Sequence, residues 1–320
     1  MASQVERVGF IGLGIMGYPM AVNLVSKLPA TSKLYAYDIS KEILGKLQET
    51  VGAAKVQICS SSHEVAESSD VVFTMVPEGS HVRAVYLDSE SGVLLANLEN
   101  KILIDCSTID VATSNAVRQK IASRYPSASF YDAPVSGGSL GAANASLTLM
   151  LGASDDDPNI KLLQELLGTM GKSIFACGGP SSGLVAKLCN NYCSGLIAIA
   201  TAEAMNIGIR SGIDPRVLAR VFSASTAQST ISDKWNPVPG ICPSAPASND
   251  YQGGFKVQLM KKDFGLAVDA AKQSGAKLCL GEAGLMTYAG ASADERCKDR
   301  DSRVVFRYLG GDEDWASKFS

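Results

Sequence analysis

The sequence predicts an α/β chain: a doubly wound, mostly parallel sheet over residues 1–178, then an all-helical domain over residues 179–320 built on one long interdomain helix. Three observations carry this. Short apolar runs alternate with helical stretches through the first half of the chain, a glycine-punctuated turn joins the first run to the first helix, and beyond residue 181 the strand-like runs stop.

Taken in order, Val8-Gly9-Phe10-Ile11 reads as a strand that runs into Gly12-Leu13-Gly14-Ile15-Met16-Gly17, and Tyr18 to Lys27 follows as a helix. This is G-x-G-x-x-G in the strand–turn–helix context that a dinucleotide site requires. The first glycine permits the tight turn, the second lets a pyrophosphate approach the backbone at the helix N-terminus, and the third lets helix and strand pack closely. Leu34-Tyr35-Ala36-Tyr37 makes a second strand ending in Asp38, 21 residues after Gly17. A carboxylate there accepts the two ribose hydroxyls and repels a 2′-phosphate, which favours NAD over NADP.

Strand-like runs continue at Val71 to Val76, Ile102 to Asp105, Ser129 to Asp132, Leu147 to Met150 and Ile174 to Ala176. Ligands of such sheets bind beyond the carboxyl ends of the strands, so Val76-Pro77, Ser107-Thr108 and Ser136-Gly137-Gly138 are candidates by position. Pro77 can also be a strand terminator and Thr108 the N-cap of a helix from Val111. The pair Gly137-Gly138 can turn consecutive N–H groups into one concavity, and with the Ser136 hydroxyl this suits a carboxylate.

Residues 181 to 211 read as one long buried helix without a solvent-facing stripe. Its polar exceptions, Lys187, Asn190, Asn191 and Ser194, fall at i, i+3, i+4 and i+7 and share a face. Burying an ammonium and two amides needs a partner, which substrate and cofactor would supply, although the lysine can also reach water along its alkyl stem. Helices follow from Pro215 to Phe222 and Leu259 to Ser274, linked by a loop from Asn236 to Gly254 with four prolines and three glycines. The charged tail from Ala291 to Arg303 reads as a solvated face.

Composition narrows the chemistry. At 320 residues, 46% hydrophobic and a net charge of −3 without a basic block, the chain suits two globular domains and a small-molecule partner rather than nucleic acid. No run is expected to span a membrane, since the long helix carries Lys187, two asparagines, Glu203 and Asn206. Eight cysteines are scattered without C-x-x-C, Cys189 and Cys193 read as core packing, and neither Cys nor His spacing makes a metal site. A reducing compartment follows, and with seven residues before the first strand no signal or transit peptide is expected. Oxidising an alcohol requires a group that takes the hydroxyl proton as hydride leaves. The two histidines, His63 and His81, both lie in the first half. Lys187 is the better base, because a closed apolar cleft lowers the preference of an amine for its charged form.

Four ordered motifs cover almost the whole chain: Gly12-Leu13-Gly14-Ile15-Met16-Gly17, Asp132-Ala133-Pro134-Val135-Ser136-Gly137-Gly138, Gly183 to Asn191, and Lys262-Asp263-Phe264-Gly265-Leu266-Ala267. In these the chain resembles the β-hydroxyacid dehydrogenases. Asn236-Pro237-Val238-Pro239-Gly240 and Tyr251-Gln252-Gly253-Gly254-Phe255 are similar to the 3-hydroxyisobutyrate branch. The resemblance implies a Rossmann-like domain followed by an all-α domain, with Lys187 transferring the proton, Asn191 beside it, and Ser136, Gly137, Gly138 and Asn190 holding substrate. It adds Val76, Pro77, His81, Thr108 and Lys262 to the NAD contacts, and implies a homodimer or homotetramer formed through the helical domain. The implied reaction is NAD-dependent oxidation of (S)-3-hydroxyisobutyrate to methylmalonate semialdehyde in valine catabolism, or of a close 3-hydroxy acid. An NADPH-linked reductase of small semialdehydes and an NAD-binding scaffold without turnover are the alternatives. The family implies the mitochondrial matrix, and the absent presequence a cytoplasmic alternative. Ser181, where the family pattern has glycine, and the segments 225–233 and 284–300 depart from that pattern.

Overall fold

The computed structural model describes residues 5–319, which divide into two compact units, 5–187 and 188–319. In the first unit a six-stranded, wholly parallel sheet has the order β3-β2-β1-β4-β5-β6, formed by Val56–Ile58, Lys33–Tyr37, Arg7–Ile11, Val71–Thr74, Ile102–Asp105 and Ser129–Asp132. Five helices follow successive strands: α1 Gly17–Lys27, α2 Lys41–Val51, α3 Ser62–Ser68, α4 Gly79–Leu87 and α5 Val111–Arg124. Alternation along the strands separates two cores. Val8, Phe10, Val71, Phe73, Ile102 and Ile104 pack on the α1–α2 side, whereas Ile11, Val72 and Leu103 pack on the α3–α5 side. Helices on both faces of a parallel sheet make the predicted doubly wound fold.

A second sheet of the same unit is formed by β7 Val135–Ser136, β8 Leu147–Leu151 and β9 Gly171–Ala176, with α6 Gly138–Ala143 and α7 Ile160–Gly168 between its strands. Here β7 pairs antiparallel with β8, so the parallel pattern inferred from the apolar runs is broken at one pair. The strands β3 and β7 are too short, at three and two residues, to give an apolar run.

The helix α8, Ser182–Arg210, begins in the first unit and continues into the second. It does have a solvent-facing stripe, contrary to the sequence reading: Val185, Cys189, Cys193, Ala200, Glu203 and Ile207 are exposed. The stripe escapes a pattern search because it is mostly apolar, and Cys189 and Cys193 are therefore not core packing. By length and composition this helix is also apolar enough to cross a membrane, with a mean hydropathy of 1.3 over its best window. That corrects the expectation that no run suffices. The second unit adds α9 Pro215–Ala224, α10 Thr230–Lys234, α11 Val257–Ser274, α12 Gly281–Ala293 and α13 Val305–Tyr308. Its core joins Ala202, Met205 and Ile209 of α8 to Phe264, Tyr288 and Phe306. Gly195 and Gly284 let the aromatics approach, since a Cβ at Gly284 would lie 2.4 Å from Phe264.

The charged tail is only partly a solvated face. Asp301 and Arg303 are buried and ion-paired at 2.7 Å, and the Arg303 guanidinium lies 4.5 Å from the Trp235 ring centroid. Asp301 also accepts the Phe255 N–H at 2.8 Å, and a Cβ at Gly254 would stand 2.0 Å from its carboxylate. The Tyr251 to Phe255 motif is thus shaped to receive this aspartate.

Candidate active site

In the first unit the Gly12–Gly17 turn has the backbone its residues demand. Gly12 takes φ +91°, and a Cβ there would stand 2.3 Å from the Met75 carbonyl oxygen; one at Gly17 would stand 1.9 Å from the Gly12 carbonyl oxygen. Gly14 differs. A Cβ there would meet nothing within 4 Å, so the space over its backbone is open. No side chain caps the N-terminus of α1; the Tyr18 N–H donates to the Gly14 carbonyl at 3.0 Å and Pro19 has no N–H, so the helix dipole and the open backbone over Gly14 are what this end offers an anion. Asp38, just past β2, accepts the Leu13 N–H at 2.6 Å and the Ser40 N–H at 2.8 Å. The carboxylate is thereby tied to the glycine turn, as a ribose acceptor beside a pyrophosphate site would be.

Past β4 and β5 the loops are tied to each other. The Val76 N–H donates to the Ser107 hydroxyl at 3.0 Å, and the Ser107 N–H donates to Asp105 at 3.1 Å. Burial pushes the Asp105 carboxyl up to about 7, against the pull of the Ser107 hydrogen bonds, and nearby Asp132 adds to the rise. Pro77 and His81 are exposed and Thr108 is half-buried. The cap of α5 is Asp110, which accepts the Thr113 N–H at 2.7 Å, so the capping role considered for Thr108 belongs to Asp110.

Ser136 ends β7, and Gly137 and Gly138 follow at φ +132° and +64°, conformations that L side chains rarely adopt. Lys187, the last residue of the first unit, is 7% exposed. Ser181, at the entrance to α8, takes φ +65°, which explains why glycine suits the position. A cavity of about 500 Å³ lined by Val111, Asn115, Cys177, Ser181, Val185 and Ala186 holds none of the sequence-predicted residues. It faces the side of α8 away from Lys187.

In the second unit four polar side chains converge. Asn191, 6% exposed, donates from Nδ2 to Asp263 Oδ2 at 2.6 Å and accepts from Asn190 Nδ2 at 3.1 Å. Lys262 Nζ stands 3.1 Å from Asp263 Oδ1. Of the two asparagines only Asn191 is buried; Asn190 is exposed, which corrects the reading of two buried amides. Sequence reasoning gave Asp263 no role, although its place next to Lys262 on a helix was the available signal. It likewise gave none to Asp132, which stands at the head of the Asp132 to Gly138 motif.

Residues 7–179 match the family model described as the NAD-binding domain of 6-phosphogluconate dehydrogenase. Residues 181–309 match the model described as NAD-binding of NADP-dependent 3-hydroxyisobutyrate dehydrogenase. A probable mitochondrial 3-hydroxyisobutyrate dehydrogenase of Dictyostelium discoideum is 42% identical over 309 residues, 96% of this chain and 92% of that protein. An NAD-dependent L-serine dehydrogenase of Pseudomonas aeruginosa is 38% identical over 283 residues, 88% of this chain and 91% of that protein. Among solved structures, a Mycobacterium tuberculosis 3-hydroxyisobutyrate dehydrogenase with L-serine superposes with a TM-score of 0.84 at 34% identity, covering 96% of this chain and 99% of that one.

Proposed function

The chain belongs to the 3-hydroxyisobutyrate dehydrogenase family and is an NAD-dependent oxidoreductase acting on CH–OH groups, and from this we propose that it oxidises (S)-3-hydroxyisobutyrate to methylmalonate semialdehyde, a step of valine catabolism, or a close 3-hydroxy acid. The observation that carries the reading is Lys187: a single ammonium kept at 7% exposure on α8, one turn before the buried Asn191. Burial of a lysine is costly, and a proton-transfer role accounts for it.

NAD, when bound, accepts the hydride from the carbinol carbon. The chain's residues fit it: the open backbone at Gly14, the uncapped N-terminus of α1 and the tethered Asp38 suit a pyrophosphate and a ribose. Leu13, Ile15 and Met16 complete that turn, and Val76, Pro77, His81, Thr108 and Lys262 are the remaining proposed contacts. The finer proposal is that Asp38 makes the enzyme prefer NAD to NADP. Ser136, Gly137, Gly138 and Asn190 hold the substrate carboxylate, Lys187 takes the hydroxyl proton, and Asn191 orients it. The relatives include dehydrogenases of both 3-hydroxyisobutyrate and L-serine, two acids with a hydroxyl on the third carbon, and this supports a carboxylate-anchored 3-hydroxy acid as substrate class.

We assign cofactor binding to residues 1–178, and substrate and self-association to residues 179–320. Exposed Ile207 (67%), Met286 (66%) and Leu280 (55%) support a homodimer or homotetramer formed through the helical part. The mitochondrial relatives support the matrix as its location.

The test is the initial rate of NADH formation from (S)-3-hydroxyisobutyrate by the native chain and by Lys187→Ala. Turnover by the native chain, with a loss of at least ~100-fold in kcat in the variant, is expected. Turnover retained by Lys187→Ala removes its role. NAD binding without turnover of this acid, L-serine or 3-hydroxypropionate would favour the scaffold reading.

A further inference from the structure

The aspartate at the end of β6 is joined to the start of α8 across about fifty residues of sequence. Asp132 is 3% exposed. Its Oδ1 accepts the Ser181 N–H at 2.7 Å and its Oδ2 the Leu184 N–H at 2.8 Å. These are N–H groups at the entrance and in the first turn of α8, the donors that a helix leaves without an internal partner. Caps are normally supplied by a neighbouring Ser, Thr, Asp or Asn. Here the carboxylate comes from the central sheet.

Two glycines are shaped around it. A Cβ at Gly152 would stand 1.9 Å from Asp132 Oδ1, and one at Gly183 would stand 2.9 Å from Oδ2 and 2.0 Å from the Met150 carbonyl oxygen. The Gly152 N–H also donates to the Asp132 carbonyl at 2.8 Å. Neither the residue that follows β8 nor the first turn of α8 could come so close to this carboxylate with a side chain at these positions. The contact is therefore tight on both sides and lies within one compact unit.

Its position gives it a consequence for the reaction. Four residues after Asp132 the chain reaches Ser136-Gly137-Gly138, the proposed carboxylate loop, and three residues after Leu184 the helix reaches Lys187. Residues three and four apart lie above one another on a helix, so Lys187 stands over the turn formed by Gly183 and Leu184. We propose that Asp132 is a positioning residue, which fixes the height and rotation of Lys187 relative to the Ser136–Gly138 loop by holding the first turn of α8 against β6 and β8. This rests on the assignment of Lys187 and of that loop made above.

The decisive experiment is a double-mutant cycle between Asp132→Asn and Lys187→Ala on the full chain. Turnover of a 3-hydroxy acid accepted by the native enzyme is expressed per NADH-binding site, with sites counted by fluorescence titration. Asparagine keeps the shape of aspartate but turns an N–H donor toward one of the two helix N–H groups. The expected result is a fall in kcat per site of at least ~10-fold, because an error of ~1 Å in a reacting group costs on the order of 100-fold, with KM changed much less. In the Lys187→Ala background the same substitution changes kcat less than ~3-fold, since the group it positions is gone. A purely structural role predicts fewer NADH sites with normal turnover at each, or losses that multiply in the double variant, and either result overturns the proposal. If Lys187→Ala alone retains turnover, the assignment of Lys187 fails first, and with it the premise. Should Asp132→Asn not fold by circular dichroism, Asp132→Ser, which keeps one acceptor in less volume, takes its place in the cycle and is judged by the same two outcomes.

Discussion

The proton on Asp105 is a property of this fold that can be measured without any substrate. The carboxyl is 1% exposed at the end of β5, its strand partner across the ladder is Asp132, and burial pushes it from an ordinary 3.8 to about 7. Between those two values the folded chain keeps a proton that the unfolded chain has released. Stability contributed by this site is therefore greatest below about pH 4, falls as the pH rises through the window, and is level above about 7. At 1.36 kcal/mol per unit, the full window corresponds to about 4 kcal/mol. Asp105→Asn has no proton to lose and can still accept from Ser107. The variant should exceed the native chain's stability by about 1 kcal/mol near pH 4.5, where the window has only begun to open, and by a few kcal/mol near pH 7.5. Urea unfolding at both pH values, followed by far-UV circular dichroism, reads the difference. Tryptophan fluorescence does not serve, because Trp235 and Trp315 both belong to the C-terminal unit. A native-to-variant difference that is the same at the two pH values, within about 0.5 kcal/mol, would refute a proton retained on Asp105 by the fold.

Two further outcomes follow from local geometry. Asp38 within about 4 Å of a 2′-phosphate would cost about 4 kcal/mol at an effective dielectric of 20, so kcat/KM should favour NAD over NADP by at least ~100-fold. Asp38→Ala should cut that ratio at least ~10-fold, and an unchanged ratio would remove Asp38 from cofactor choice. Ala145 and Ser181 hold left-handed backbone, at φ +48° and +65°. Ala145→Gly should stabilise the chain by about 1 kcal/mol in thermal or urea unfolding. Ser181→Gly should gain less than half of that, because it also loses a 3.3 Å contact between the Ser181 hydroxyl and Asn115 Oδ1. A destabilised Ala145→Gly would contradict the strain argument.

The sheet and its glycine turn were legible because their information is local. Alternating and continuous apolar runs mark strands wherever the strand is four residues or longer, and Gly12 and Gly17 are demanded by backbone atoms a few residues or one strand away. Asp38 was legible by spacing for the same reason. What the sequence hid were contacts closed over long distances, or surfaces of unexpected polarity. The stripe of α8 is exposed yet apolar, so periodicity assigned it to a core. Asp301 and Arg303 are charged yet buried, because each neutralises the other and the loop at Gly254 is cut away to fit them.

Asp132 and Asp263 show the same limit at the candidate site. Each is a carboxylate whose partner lies 49 to 72 residues away, Ser181 and Leu184 for the first and Asn191 for the second. No window along the chain contains both ends of such a contact. For Asp132 the clue lies in two glycines: Gly152 and Gly183 are where they are because a buried carboxylate needs the room a Cβ would take. At these two positions, where the backbone angles do not require glycine, the residue marks a close approach rather than a turn. Neither glycine has positive φ, and both face Asp132. That distinction separates the glycines that shape a chain from those that admit a functional group to it, and it becomes visible only once the strands and the helix are assembled.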